Sequence, residues 1–397
     1  MEKIVFVNTV CYGSTGRICK TLYTMAQQKG YSCYIAYGRG KAEATYKTIK
    51  IGTIFDVLWH VGKARFLGKN GFGSYFATKR FIKKLERLQP DILHLHNLHG
   101  YYLNLPLFCA YLKRHPEIKK IWTLHDCWSF TGNCAHYNGH GCMQWQSQCR
   151  QCQHHDGYPK TIKSDMTRSF QKKKACFTGI ENLILITPSD WLLQQVQASF
   201  LQAYPIYTIH NGIDLQVFSP RKTAMDKKTK TILGVAGKWT AAKGFDDFIA
   251  LAKHIPDAYQ IVMIGLTKQQ LHQLPSNIKG YKETETHDVK ELVSWYQQSY
   301  VFFNPTYEDT YPSVNLEAQA CGCPIVSYDV GGCKETLCKG SYVVHNVNEF
   351  LKLLKEKPLQ RIQLLPEEKA HLDKNRAFLA YITLYEGRLH EDGKDTI

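Results

Sequence analysis

Two carboxylates stand eight residues apart, Asp309 and Glu317, in the stretch EDTYPSVNLEAQACGCPIVSYDVGG. A carboxylate accepts hydrogen bonds, so such a pair suits sugar hydroxyls. Pro312, between them, fits the first turn of a helix; Asp309 then precedes that helix and Glu317 lies inside it. Gly331 and Gly332 close the stretch. Upstream, GKWTAAKGFDD places Lys238 and Lys243 between a strand end and a helix start. Lysines there, aided by the helix N-terminus, can neutralise a diphosphate. In TVCYGSTGRI, Gly13 and Gly16 occupy a strand-to-helix turn where backbone can approach a ligand closely. The spacing is not the G-x-G-x-x-G of a dinucleotide site. IWTLHDCW adds His125 and Asp126 at a strand end, and DILHLHNLHGYYLN adds His94, His96 and His99. His94 and His96 share one face of a strand, so at least one of them packs in a core. NLHGYYLN runs past the strand end, where it can help shape a ligand site. Each feature alone also has a plain explanation: a capping acid, a solvated lysine, a tight turn, a core histidine.

The elements that must position these residues follow from the apolar pattern. The chain has 397 residues, 44% hydrophobic and 21% charged, which suits two globular domains with a core each. Short β-branched runs alternate with longer amphipathic stretches: KIVFVN, YSCYIAYG, PDILHLHN, KKIWTLHD, NLILITPS and YPIYTIHNG in the first half. After the Lys-rich SPRKTAMDKKTK the rhythm restarts with TILGVAG, YQIVMIG, IKGY, YVFFNP and CPIVSYDV. This βαβ rhythm predicts α/β architecture, two doubly wound parallel sheets with helices on both faces, joined near residues 212–230. Ligands of open α/β sheets bind outside the carboxyl ends of the strands, where the residues above lie. A helical segment from Pro366 to Leu389 has no strand after it and is expected to pack back on the first domain.

Taken together, G-x-x-G after strand one, K-x4-K-G early in the second half and D-x-x-P-x4-E late in it resemble the retaining glycosyltransferases of family 4, which have the GT-B fold. The likeness spans nearly the whole chain, and its most specific part is EDTYPSVNLEAQACGCPIVSYDVGG with the KETL that follows. It implies two Rossmann-like domains facing across a cleft: 1–211 for the acceptor, 212–365 for the nucleotide-sugar donor, and 366–397 as the returning helix. It implies that Asp309 binds sugar hydroxyls, Glu317 the ribose, and Lys238 and Lys243 the diphosphate, with Gly13, Gly16, Gly331 and Gly332 also on the donor. His125 and Asp126 would join Asp309 as catalytic residues. Two departures stand out: the first acid is Asp rather than Glu, and an Arg of the family is Lys238 here, without the bidentate guanidinium fork. The implied reaction is transfer of a hexose from a UDP- or GDP-sugar to a glycan or lipid-linked acceptor, with no catalytic metal, in surface-polysaccharide or lipopolysaccharide synthesis. A GT-B-like nucleotide-sugar epimerase and a non-catalytic nucleotide-sugar-binding protein are the alternatives.

Two further clusters need their own explanation. Within the Cys-rich insertion 127–155, Cys134, Cys142, Cys149 and Cys152 are spaced C-x7-C-x6-C-x2-C. A structural zinc held by four thiolates would supply folding energy to a segment with little core; disulfides, an iron–sulfur cluster and free thiols are the competing readings. The second cluster is basic. Residues 63–90 carry Lys63, Arg65, Lys69, Lys79, Arg80, Lys83, Lys84 and Arg87 among aromatics, in a chain of formal net charge +16. Such a face can lie on an anionic membrane or simply be solvated. No nucleic-acid-binding module is recognisable, so no nucleic-acid partner is expected. No apolar run approaches the roughly 18 residues of a membrane span, and the opening run, broken by Asn8, reads as a buried strand rather than a signal peptide. A cytoplasmic location is therefore expected, peripheral on the inner membrane face if the basic surface docks there.

Overall fold

The computed structural model describes residues 1–137, 139, 141–150, 152, 158–162, 165–221, 230–282 and 289–388. Most of the Lys-rich junction (222–229), part of the Cys-rich insertion and the chain from 389 lie outside the described residues. The chain divides into two compact units, Met1–Ile209 together with the chain from Phe378, and His210–Ala377.

In the first unit, β1 (Lys3–Val10), β2 (Ser32–Arg39), β3 (Thr48–Lys50), β4 (Ile92–Leu95), β5 (Lys119–Thr123), β6 (Leu183–Thr187) and β7 (Ile206–Thr208) form one sheet, ordered β3-β2-β1-β4-β5-β6-β7. All of its pairings are parallel. Helices cover both faces of such a sheet, so its central strands are continuous apolar runs rather than alternating ones. Ile4, Val5, Phe6 and Val7 of β1 are accordingly all fully buried.

The second unit repeats the pattern with β8 (Lys230–Val235), β9 (Tyr259–Leu266), β10 (Ile278–Lys282), β11 (Val301–Asn304), β12 (Ile325–Tyr328) and β13 (Tyr342–Val344), ordered β10-β9-β8-β11-β12-β13. Again every pairing is parallel. In both sheets the strand order reverses beside the first strand, at β1/β4 and at β8/β11. That reversal sends neighbouring crossovers to opposite faces and opens a crevice at the strand carboxyl ends.

The long C-terminal helix expected from the sequence is interrupted. It forms two helices, Pro366–Leu372 and Lys374–Tyr385, separated by Asp373 in extended backbone. Asp373 makes a β-bridge with Ile213, whose N–H donates to the Leu372 carbonyl at 2.8 Å. This backbone exchange occupies groups that a continuous helix would have used internally.

From Phe378 the second of these helices belongs to the first unit. Tyr385 Oη hydrogen-bonds His94 Nδ1 at 2.7 Å, Tyr381 Oη bonds Thr123 Oγ1 at 3.0 Å, and that hydroxyl bonds His94 Nε2 at 2.9 Å. Lys119 Nζ donates to the carbonyls of Leu384 and Tyr385 at 3.2 and 3.0 Å, placing a cation at the negative end of the helix dipole. His94 is therefore a packing histidine, with both ring nitrogens engaged under the C-terminal helix.

Replacing Tyr385 with Phe deletes the partner of a buried ring nitrogen. Urea denaturation should show a loss of about 1–3 kcal/mol; an unchanged midpoint would mean that this contact does not anchor the helix.

Candidate functional site

In the second unit, two of the residues singled out by type, Lys243 and Asp309, meet at the β8/β11 reversal. After β8 the chain runs through Lys238, which is exposed, and Trp239, which is buried with its indole N–H donating to the Ile264 carbonyl at 2.8 Å. A 3-10 turn, Ala241–Lys243, leads into the helix Phe245–Ala252. Gly244 joins them at φ +75°, and a Cβ there would lie 2.4 Å from the Pro305 carbonyl oxygen. Only glycine satisfies both conditions, so this residue lets the β8 loop close onto the loop that follows β11.

That contact brings Lys243 to the acid. Its Nζ donates to Asp309 Oδ2 at 2.7 Å and to the Glu308 carbonyl at 2.8 Å. Asp309 Oδ1 accepts the Tyr311 N–H at 3.2 Å, and the Asp309 carbonyl accepts the Gly332 N–H at 3.2 Å. Lys243, Asp309 and the glycine pair after β12 are thus one group, drawn from three adjacent strand ends. Gly331 has φ +59°. The side chains of Lys243 and Asp309 remain 33% and 23% exposed, so a ligand can still reach both.

Glu317 sits deeper. The helix Ser313–Ala320 begins directly after Pro312, which is its N-cap rather than part of its first turn, and is buried from Asn315 to Ala320. Glu317 Oε2 accepts the Tyr296 phenol at 3.1 Å. Burial first, then the neighbouring carboxylate, push the Tyr296 phenol well above its ordinary pKa, so it stays a donor.

A buried amide network fixes this helix, and apolar periodicity carries no signal for it. Asn304 at the end of β11 donates to Asn315 Oδ1 at 2.8 Å, and Asn315 donates to Thr336 Oγ1 at 2.8 Å. Gln319 Nε2 donates to the Thr336 carbonyl at 2.7 Å, while its Oε1 accepts the Cys338 N–H at 2.6 Å and the Ser341 hydroxyl at 2.9 Å. Satisfied buried amides specify one arrangement, because any other leaves them unpaired.

In the first unit, Gly13 opens the helix Gly13–Gln28 at φ +69°, with open space where a side chain would be. Gly16 has a different function: a Cβ there would lie 2.5 Å from the Cys11 carbonyl carbon, so its bareness serves the packing of the turn. Within β4 and just past the ends of β4 and β5 lies a group of histidines. His94 and His96 stack with centroids 4.3 Å apart, and His96 stacks on His125 at 5.3 Å with planes 12° apart. His96 Nδ1 and His125 Nε2 are 3.0 Å apart, and His96 Nε2 is buried without a partner among the described residues. Burial lowers the His125 pKa to about 4, so the ring is neutral near pH 7. Asp126 Oδ2 pairs with His99 Nε2 at 2.7 Å, and Oδ1 accepts the Trp128 N–H at 2.9 Å. Burial pushes this carboxyl up, but His99 and the hydrogen bonds outweigh it and hold its pKa at about 2.

The cysteines of the insertion are gathered loosely. Cys134 hydrogen-bonds Cys152, which together with burial pushes the Cys134 thiol up. The Cys149 sulfur accepts the Gly132 N–H at 3.1 Å, and burial raises its pKa to about 11. Among the described residues no three of these sulfurs lie within 4.8 Å of one another. Beside them Lys173 is fully buried, its Nζ 4.0 Å from the Trp128 ring centroid.

Comparison with known proteins gives a consistent result. A family model described as "Glycosyltransferase Family 4" matches residues 15–217, and one described as "Glycosyl transferases group 1" matches residues 230–356. The chain is 27% identical over 378 residues to the putative colanic acid biosynthesis glycosyl transferase WcaC of Escherichia coli K12, covering 89% of each chain. Its fold is similar to that of sucrose-phosphate synthase from Thermosynechococcus elongatus, with a TM-score of 0.70 at 14% identity, covering 98% of this chain and 99% of that one. It is also similar to Anabaena HepE in complex with UDP and glucose, with a TM-score of 0.64 at 12% identity, covering 98% and 100% of the two chains.

The buried histidines make a pH prediction. Burial lowers the pKa of His60, His94 and His125 to about 4, 3 and 4, against about 6.5 in the unfolded chain. Between those values the unfolded state binds more protons, so stability falls as pH drops from about 6.5 to about 4 and these groups add no slope above it. Urea midpoints measured across that range should decline; a flat profile would show that the rings are not held neutral.

Proposed function

Because the chain belongs to glycosyltransferase family 4, we propose that it is a retaining transferase moving a hexose from a nucleoside-diphosphate sugar to a glycan or lipid-linked acceptor. The observation that carries the reading is the contact of the Lys243 ammonium with the Asp309 carboxylate at 2.7 Å, at the carboxyl ends of β8 and β11. A cation and a hydroxyl-accepting anion side by side suit the place where a sugar joins a phosphate. In this reading Lys243 and Lys238 meet the charge that grows on the leaving diphosphate, which is electrostatic stabilisation of the transition state. Asp309 accepts from a sugar hydroxyl while orienting Lys243. Glu317, steadied by Tyr296, takes the ribose hydroxyls.

His125 and Asp126 are assigned to the reacting sugar. The neutral ring exchanges hydrogen bonds with hydroxyls, and the ionised Asp126 orients His99. The leaving phosphate takes the acceptor proton, so no protein nucleophile is required, and the lysines fill the role that a catalytic metal has elsewhere. UDP and GDP are the candidate donor bases, with UDP favoured by the likeness to HepE in complex with UDP and glucose. The WcaC relative supports a place in surface-polysaccharide synthesis, at the cytoplasmic side of the membrane.

Proton NMR of the product formed from a matched α-linked donor should show an α linkage; an inverted product contradicts the assignment. Asp309→Asn should lower turnover about a hundredfold by misplacing Lys243 and the sugar. Donor binding by the unaltered protein without transfer to any acceptor would instead favour a non-catalytic binding protein.

A further inference from the structure

Among the described residues no helix is long and apolar enough to cross a membrane. One surface is nevertheless strongly apolar. Eight of the nineteen exposed large hydrophobic side chains among the described residues fall between residues 54 and 76. The helix Ile54–Leu67 has only Asp56, Lys63 and Arg65 as charged residues in its 14. A helix so apolar around its circumference is ordinarily buried on all sides. This one buries a narrow stripe of Val57, His60 and Ala64. It turns Ile54, Phe55, Leu58 and Trp59 outward at 59–77% exposure, with Phe66 and Leu67 at 64% and 57%. Tyr75 and Phe76, at the start of the helix Tyr75–Leu88, add 50% and 70%.

The surface is built on a fixed base. His60 Nδ1 hydrogen-bonds Ser74 Oγ at 2.9 Å, and its Nε2 accepts the N–H groups of Gly71 and Gly73 at 3.1 and 3.2 Å. These bonds tie the first helix to the segment that starts the second. Ile162, 71% exposed, joins the edge through its N–H on the Arg65 carbonyl at 2.9 Å.

Charge identifies the occupant. Between residues 54 and 90 there are eight Lys and Arg against two acids, Asp56 and Glu86. Asp56 is already used, in the Thr53 cap and by Arg80 at 3.4 Å. Lys63 Nζ lies 5.1 Å from the Trp59 ring centroid, a basic–aromatic pairing suited to a headgroup layer. A second copy of this chain would set eight more positive charges against these, which disfavours self-association. We propose that this face, with Ile54–Phe76 inserted and the Lys79–Arg87 side turned to the headgroups, seats the protein on an anionic lipid surface. From sequence the basic stretch 63–90 could either dock on a membrane or be solvated; the exposed apolar side chains beside it begin earlier, at Ile54. The inference adds a partner to the proposed activity and does not rest on the donor chemistry.

The test is flotation of the full chain with phosphatidylcholine vesicles, with and without about a third phosphatidylglycerol. Binding is expected on the anionic vesicles at about tenfold or more over the neutral ones, weakening with salt. Both the F55S/W59S variant and the K79E/K83E/K84E variant should lose most of it. All five positions are exposed, so circular dichroism and nucleoside-diphosphate binding by calorimetry should match the unaltered protein, which separates this claim from the transferase reading. No vesicle binding, equal binding to both compositions, or full binding by both variants would overturn the proposal. So would a dimer in vesicle-free solution that F55S/W59S dissociates while vesicles go unbound.

Discussion

A parallel sheet whose strand order reverses must leave a gap at the carboxyl ends of the two strands flanking the reversal, and the candidate site depends on that constraint. Crossover helices leave β8 and β11 toward opposite faces, so the loops after these strands meet with no helix between them. Lys243 arrives from one loop and Asp309 from the other. Gly244 permits the approach, because a side chain there would collide with Pro305. The third strand end, after β12, closes the group through the Gly332 N–H on the Asp309 carbonyl. The first unit uses the same reversal differently: after β4 and β5 it stacks neutral imidazoles and pairs the Asp126 carboxylate with His99.

The two acids eight residues apart differ in kind because the helix between them is buried. Asp309 lies ahead of it on a partly open loop, where its charge is shared with Lys243. Glu317 lies one turn inside a helix buried from Asn315 onward, held by a phenol that remains protonated. One acid is therefore partly open to a ligand and the other is enclosed. The amide network of Asn304, Asn315 and Gln319 maintains that difference by locking the helix to the segment around Thr336.

Much of the architecture was legible because parallel strands buried on both faces announce themselves as unbroken apolar runs. Two short edge strands do not: β3 and β13 are three residues each and lie in no such run, whereas the equally short β7 sits within YPIYTIHNG. The break at Asp373 was invisible because it answers to a bridge with Ile213, far away in sequence. Among candidate site residues, Lys243, Asp309 and Glu317 stood out only through the likeness of the combined motifs to family 4, and that likeness did not reveal that Lys243 and Asp309 hold each other. His99 as the partner of Asp126, and the amides behind Glu317, lie beyond sequence reading for the same reason: their role exists only once distant strands are adjacent.

The central claim is that the β8/β11 group holds the phosphate end of an activated sugar. Calorimetric titration of UDP and GDP into the protein and into its Lys243→Met variant tests it most directly. The account predicts binding of one nucleotide by the unaltered protein and a loss of about tenfold or more in the variant, as expected for a lost charge-assisted contact. A Lys83→Met control should bind as the unaltered protein does. Equal affinity in the Lys243→Met variant would contradict the account, since the phosphates would then lie elsewhere.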